Sequence, residues 1–356
     1  MIRIGVDATN IGSGGTIKNL SNILNNCNHK DVFFYVWYSN KFNKNQIKNK
    51  KNIKLIKIKY NNFFLRLIWQ IFHLDKKADL HKCKLIFSPG GYYLGKKKSI
   101  ITSQNIIPFS NLKINKISDI IFYLKMKILK WAQIYSMNKA NRVIFLTENS
   151  YNIIKKFTKI KKKEIIPNGI EKDFFIYKKK NELSLTYISD DLPYKNYNTL
   201  FDALKSVNLN HKITVNIVGN VDKSKAPKNK MIKYKFFKYL NKSSLIVLLK
   251  KTKVFLFLSS LESFPITLLE GMASKNIIIC SNIKPMTDII LKNSCIYVNP
   301  QNSKKLKSIL ETIFNYKKSY DKITKNAQLQ SRLNKYDLKQ IGLQYSKLFF
   351  ELKRNK

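Results

Sequence analysis

The sequence predicts an α/β protein built of two parallel-sheet domains, on three observations. Short apolar strands alternate with longer amphipathic stretches along the whole chain. The length of 356 residues is too great for one ordinary core and suits two. A polar, Lys-rich stretch from Glu171 to Asn181, following Pro167-Asn168-Gly169, separates two such series and reads as a linker. Ile2–Val6, Val32–Trp37, Leu85–Phe87, Ile100–Ser103 and Arg142–Leu146 read as strands of the first series. Ser184–Ile188, Thr214–Val218, Val254–Leu258, Ile277–Cys280 and Cys295–Val298 read as strands of the second. Helices are expected over Ile17–Leu24, Asp119–Asn138, Tyr197–Ser206, Ser243–Lys251, Thr267–Ala273 and Ser303–Tyr316. Strands alternating with helices build parallel sheets from βαβ units. The expected domains are 1–170 and 171–335. A final amphipathic helix over 336–356 is expected to pack back on the first domain, through Ile341, Tyr345, Leu348, Phe349 and Leu352.

Composition narrows the functional classes. Apolar residues make up 44% of the chain, enough for packed cores and against disorder. Lys and Arg number 67 against 21 Asp and Glu, a formal net charge of +46. Such a field attracts polyanions: nucleic acid, an anionic membrane face or phosphorylated substrates. Codon bias of an AT-rich genome accounts for part of the Lys excess, as in the run Lys41–Lys59, but not for the scarcity of Asp and Glu. No nucleic-acid-binding signature is present and the cations are spread along the chain, so no specific nucleic-acid partner is expected. Cys27, Cys83, Cys280 and Cys295 lack CxxC spacing, and His29, His73, His81 and His211 are scattered. With no HExxH or DxD triplet in a suitable loop, and Asp190-Asp191 a poor metal pair, neither a protein-bound metal nor another cofactor is expected. MIRIGVDA reads as a buried strand and not as a leader, and no 18-residue run is apolar and uncharged, so a cytoplasmic location is expected.

Ligands of open α/β sheets bind beyond the carboxyl ends of strands, so the segments that follow strands carry the chemistry. The most informative is Ser259–Ala273, SSLESFPITLLEGMA. Glu262 lies in a loop and Glu270 in the helix that follows, with Ser263, Phe264, Pro265 and Ile266 forming the turn between them. A helix that begins near Pro265 presents N–H groups and the positive end of its dipole to an anion. A carboxylate at Glu270 suits a diol. The bland alternative is that Glu262 caps the helix and Glu270 is solvated. In Tyr187–Asn196, Lys195 stands at a loop tip, where it suits a diphosphate, or simply the surface. The Gly-rich turn Gly12-Ser13-Gly14-Gly15 follows the first strand but lacks a full GxGxxG, which disfavours a dinucleotide site. Gln104 and Asn105, in Ser103–Phe109, suit hydrogen bonding to a hydroxyl, or a loop that binds its own backbone. Gln104 cannot serve as a general base near neutral pH.

Taken in order, these segments resemble the family 4 glycosyltransferases. Glu262-Ser263-Phe264-Pro265-Ile266-Thr267-Leu268-Leu269-Glu270 resembles that family's EX7E motif. Weaker echoes continue through Phe87–Gly91, Ile166–Gly169, Ile217–Gly219 and Tyr297–Pro300, so the resemblance covers nearly the whole chain. It implies a GT-B architecture, two Rossmann-like domains facing each other across a cleft, acceptor in the first and nucleotide-sugar donor in the second. It implies a retaining transfer from a nucleoside-diphosphate sugar to a glycan or undecaprenyl-diphosphate-linked acceptor, in the making of lipopolysaccharide O-antigen or capsule. By resemblance Glu262 faces the donor sugar, Glu270 binds the ribose, Lys195 the diphosphate, and Gly14 and Gly15 lie along the cleft and contact the donor. Ser263, Phe264, Pro265 and Ile266 belong to the donor site, and Gln104 and Asn105 are candidate contacts for acceptor or sugar. Two departures stand out: Asp190 where the family often has Arg, and Gln104-Asn105 where many members have His-Asp. They keep open an inactive relative serving as an accessory subunit. A peripheral association with an anionic inner membrane face suits the charge. Phe63–Leu74 and Ile120–Ile134 mix apolar residues with cations as membrane-surface helices do, although for Phe63–Leu74 a core helix is the simpler reading.

Overall fold

The computed structural model describes residues 2–12, 15–27, 32–40, 42–48, 51–110, 118–175, 183–190, 192–316 and 320–354. These divide into two units, residues 1–169 with 334–356, and residues 170–333.

The first unit holds seven parallel strands: β1 (Ile2–Ala8), β2 (Val32–Tyr38), β3 (Ile53–Lys57), β4 (Leu85–Ser88), β5 (Ser99–Ser103), β6 (Arg142–Phe145) and β7 (Lys163–Ile165), in the order β3-β2-β1-β4-β5-β6-β7. Its helices are α1 (Gly15–Asn26), α2 (Phe63–Phe72), α3 (Leu74–Leu80), α4 (Ser118–Lys139) and α5 (Glu148–Ile154). The second holds six parallel strands: β8 (Ser184–Ile188), β9 (Ile213–Val218), β10 (Ile232–Phe237), β11 (Val254–Phe257), β12 (Ile277–Ser281) and β13 (Ile296–Val298), in the order β10-β9-β8-β11-β12-β13. Its helices are α6 (Tyr197–Ser206), α7 (Lys242–Lys251), α8 (Ile266–Ala273), α9 (Met286–Ile289), α10 (Ser303–Asn315) and α11 (Asp321–Ser331). A last helix, α12 (Leu338–Arg354), belongs to the first unit.

Both sheets therefore have the Rossmann order. The chain starts in the middle, winds to one edge, then crosses back and winds to the other. The crossing leaves a switch point between β1 and β4 in one unit and between β8 and β11 in the other, and ligands of such sheets bind at the carboxyl ends of the strands there. The central strands read as unbroken apolar runs because both faces are covered. Ile4, Val6, Phe87, Ile100 and Ile144 are completely buried in one core, and Leu185, Val215, Leu256 and Ile279 in the other.

α12 closes the first core from the far end of the sequence. Ile341, Tyr345, Leu348 and Phe349 are buried in it, with the Phe349 ring 5.8 Å from Phe34 and 5.4 Å from Phe87. At Gly342 the helix meets α1 directly: a Cβ there would lie 2.4 Å from the carbonyl oxygen of Asn26.

Three strands go beyond the sequence reading: β3, β7 and β10. All three are edge strands rich in charge: β3 and β10 mix apolar residues with Lys, as IKLIK and IKYKFF, and β7 is only KEI. Cations on a sheet edge discourage pairing with other chains, and here they also hide the strand inside a Lys-rich background. The stretch read as a linker is corrected in its first part. Glu171 and Asp173 both pair with Lys242, the latter at 2.8 Å, and Phe174 is buried with its carbonyl accepting from the Ser274 hydroxyl. Those residues are part of the second unit, and 176–182 lie outside the described residues.

The core reading of Phe63–Leu74 is also corrected. Arg66, Trp69 and Gln70 are the buried residues of α2, while Phe64, Leu65, Ile68, Ile71 and Phe72 face outward. The reason lies at the end of β1. The buried Asp7 carboxylate accepts from the Gln70 amide at 2.6 Å and from the Thr9 hydroxyl at 2.6 Å, and Arg66 Nε donates to Asn10 Oδ1 at 3.2 Å. Buried polar groups must find partners, and here that demand outweighs burial of the apolar face.

Candidate active site

In the second unit, the loops after β8 and β11 meet at the switch point. Two contacts lock them together, through Asn196 and Ser260, and a third, through Tyr187, stiffens the loop after β8. The Asn196 amide donates to the carbonyl of Tyr194 at 3.0 Å and to that of Leu258, just past β11, at 2.8 Å. The Ser260 backbone N–H donates to the same Tyr194 carbonyl at 2.7 Å. The Tyr187 hydroxyl, at the end of β8, donates to the Lys195 carbonyl. Asn196 takes a left-handed conformation, φ 56°, which Asn tolerates better than most residues. That kink ends the short 3-10 turn Pro193–Lys195 and starts α6.

So held, the Lys195 ammonium lies 2.6 Å from Glu262 Oε1, with both side chains mostly buried. Its Nζ also stands 5.4 Å from the Tyr194 ring and 5.8 Å from the Phe257 ring. An ammonium has three donors; one is spent on Glu262. Burial, followed by the negative charges of Glu262 and Asp190, pushes the Tyr194 phenol up to about 12, so that it stays a neutral hydroxyl.

Glu262 is not the N-cap of α8: that position is held by Pro265, which makes no side-chain cap bond. Pro265 occupies the N-cap position, one residue earlier than a first-turn proline, and its carbonyl accepts from Leu268 N at 3.1 Å. Ser263, Phe264 and Pro265 are buried and Ile266 is half-buried. Glu270 is buried as well, at 2% exposure, so a solvated carboxylate is excluded. Gly271 lets α8 ride close on β11, since a Cβ there would lie 2.8 Å from the Phe255 ring.

Asp190 has a structural task. Its Oδ1 accepts the backbone N–H of Asn220 at 3.1 Å, and so ties the loop after β8 to the loop after β9. Between them Gly219 has φ +129°, and a Cβ at that position would lie 1.8 Å from the Ser189 carbonyl. Tyr187, Asn196, Ser260 and Gly219 thus support the site, and none was singled out from the sequence. Asn196 and Gly219 carried a signal: Gly219 directly follows β9, and Asn196 follows Lys195 at the end of the loop after β8.

The remaining predicted residues lie in the first unit. Gly15 is the first residue of α1, at the carboxyl end of β1, and Gly14 lies outside the described residues. Asn105 Oδ1 accepts from Ile107 N at 3.0 Å, so Asn105 binds its own backbone. The buried Gln104 amide nitrogen has no protein partner among the described residues. Also among the described residues, no group of three His, Cys, Asp or Glu side chains is placed to hold a metal ion.

Comparison with known proteins gives this geometry a family. Residues 169–330 match the model of glycosyl transferases group 1. Over that segment the chain is similar to the group 1 glycosyltransferases. The chain is 23% identical over 233 residues to the O-antigen chain mannosyltransferase RfbU of Salmonella typhimurium, a match that covers 62% of this chain and 65% of that one. Among solved structures, sucrose-phosphate synthase from Thermosynechococcus elongatus has a TM-score of 0.77 at 13% identity, covering all of both chains. Anabaena HepE in complex with UDP and glucose has 0.75 at 13% identity, covering 99% of this chain and all of that one. The lipopolysaccharide glycosyltransferase WaaG has 0.74 at 13% identity, covering 98% and 99%. At such identities the likeness shows the fold, two Rossmann-like units of the GT-B type. The glycosyltransferase family match spans the unit that contains Lys195, Glu262 and Glu270.

Proposed function

We propose that this glycosyltransferase moves a sugar, with retention, from a nucleoside-diphosphate sugar to a glycan or an undecaprenyl-diphosphate-linked saccharide, in the assembly of a bacterial surface polysaccharide such as O-antigen. One observation carries the reading: a lysine ammonium paired with a carboxylate stands at the switch point of the unit that matches the group 1 model, and a second carboxylate is buried in the helix that follows. The relative that makes O-antigen and the neighbour bound to UDP and glucose support the class of donor and product.

In this reading Lys195 keeps one N–H on Glu262 and offers the rest to the diphosphate, whose charge grows as the sugar departs. Pre-placed donors of this kind stabilise developing charge without reorganising. The uncapped start of α8 supplies backbone N–H groups to the same anion. Glu262 orients the sugar, and Glu270 accepts from the ribose hydroxyls. The acceptor hydroxyl attacks on the face from which the diphosphate leaves, and the leaving oxygen takes its proton. The work left to the protein is to position and to stabilise charge. Gln104 lends an amide N–H to the acceptor or sugar. Action on a lipid-linked acceptor places the enzyme at the inner face of the cytoplasmic membrane.

Thermal shifts with UDP, GDP, ADP and CMP test the donor site. Saturating nucleotide at roughly 100-fold above Kd adds about 3 kcal/mol of stability. One nucleotide is expected to raise the Tm of the wild type and to leave Glu270→Ala unmoved. If none does so at low or moderate salt, the chain is an inactive relative and the transferase reading falls.

A further inference from the structure

α2 is an amphipathic helix turned inside out. Its buried side carries Arg66 and Gln70, and its outward side carries Phe64, Leu65, Ile68, Ile71 and Phe72, each 43 to 61% exposed. Positions i, i+1, i+4, i+7 and i+8 make one continuous stripe along the helix. The rotation is not free. Gln70 is bonded to both Asp7 and Thr9, at 2.6 and 3.0 Å, and Arg66 to Asn10, all at the end of the central strand β1. A helix pinned by its polar face, with an apolar face left in water, is built to meet something apolar.

A second helix repeats the pattern independently. In the first turns of α4, Ile120, Ile121, Phe122 and Leu124 are 42 to 77% exposed, and Trp131 is 59% exposed farther along. Here cations are interleaved with the apolar residues. Lys125 and Lys127 are exposed, and α4 carries Lys125, Lys127, Lys130 and Lys139 against one acid, Asp119. Lys125 Nζ lies 5.4 Å from the ring of Phe63, so the start of α2 and the first turns of α4 approach each other. No described helix is long and apolar enough to cross a membrane.

We propose that α2 and the first half of α4 form one docking face for an anionic lipid bilayer. Its apolar side chains enter the boundary between headgroups and acyl chains, and Lys125 and Lys127 meet lipid phosphates at its rim. Helices with an apolar face and flanking cations bind bilayers in this way, and anionic headgroups attract each nearby cation. A second copy of the chain is the poorer occupant, because two molecules of net charge +46 repel. The membrane-linked acceptor in the proposed function agrees with this face, but the assignment rests on exposure and charge and stands whether or not the chain transfers sugar.

Vesicle flotation of the full chain tests it, with phosphatidylglycerol–phosphatidylcholine vesicles against phosphatidylcholine alone at physiological salt. The wild type is expected to float with the anionic vesicles. The triple variant Phe64→Ser, Ile68→Ser, Phe72→Ser is expected to bind them about tenfold more weakly or worse, with its Tm and its nucleotide shift kept. Should the triple variant fold poorly, the pair Ile121→Ser, Leu124→Ser asks the same of α4. Lys125→Gln, Lys127→Gln is expected to weaken binding chiefly at low salt. The proposal is overturned if the wild type ignores anionic vesicles, or if all variants bind like the wild type, which would make the attraction bulk charge. It is overturned equally if the wild type sediments as a dimer that the triple variant splits. Loss of flotation with an intact nucleotide shift, or the reverse, separates this face from the donor site.

Discussion

Asp7 shows how one buried residue shapes both stability and surface. It sits at the end of β1, wholly buried, and burial raises its carboxyl from the ordinary 3.8 to about 6, against the lowering hydrogen bonds of Thr9 and Gln70. The folded state thus holds a proton more tightly than the unfolded chain between about pH 4 and 6. Stability falls as pH rises through that window and levels off above it. Across that window the loss amounts to roughly 3 kcal/mol. Asp7→Asn removes the titration and can keep the bonds if the Gln70 amide turns its oxygen toward it. The Tm gap between variant and wild type is expected to widen from pH 4 to 6 and then hold steady; a gap that stays constant over the same pH series contradicts this account of Asp7. The same residue explains why the sequence misled about α2. Apolar periodicity predicted burial, yet Gln70 and Arg66 answer to a carboxyl some sixty residues earlier, which no local pattern reveals.

At the scale of elements, the central strands and the main helices were legible because their apolar runs and periodicity are local properties. The edge strands β3 and β10 were not, since interleaved Lys in a Lys-rich chain looks like background, and β7, only KEI, is too short to carry a pattern. The site was partly legible. The spacing of Glu262 and Glu270 and the loop position of Lys195 could be read directly. The clamps through Asn196 and Ser260 could not, because they join segments more than sixty residues apart. α12 is the long-range element that fixes the first unit, and its tight point is Gly342. A Cβ there would meet Asn26 backbone, which cannot swing away. Gly342→Ala is expected to lower stability by about 1–3 kcal/mol, measured by urea unfolding. A variant as stable as the wild type would mean that α12 does not press on α1 as described.

At the scale of the whole molecule, the excess of cations, the exposed apolar stripes and the switch-point lysine belong to one account. A strongly basic chain is drawn to anionic surfaces, and within it Lys195 is held against Glu262 at the switch point. Bulk charge alone explains neither the 2.6 Å pairing of Lys195 with Glu262 nor the burial of Glu270. The central claim is that these residues cleave a nucleotide sugar. It is tested most directly by release of the nucleoside diphosphate from the donor whose nucleotide raises the Tm, in the presence of membranes that carry lipid-linked saccharides. The account predicts release by the wild type and a loss of about 100-fold or more in Lys195→Ala and in Glu262→Gln. Equal release by wild type and both variants would contradict it.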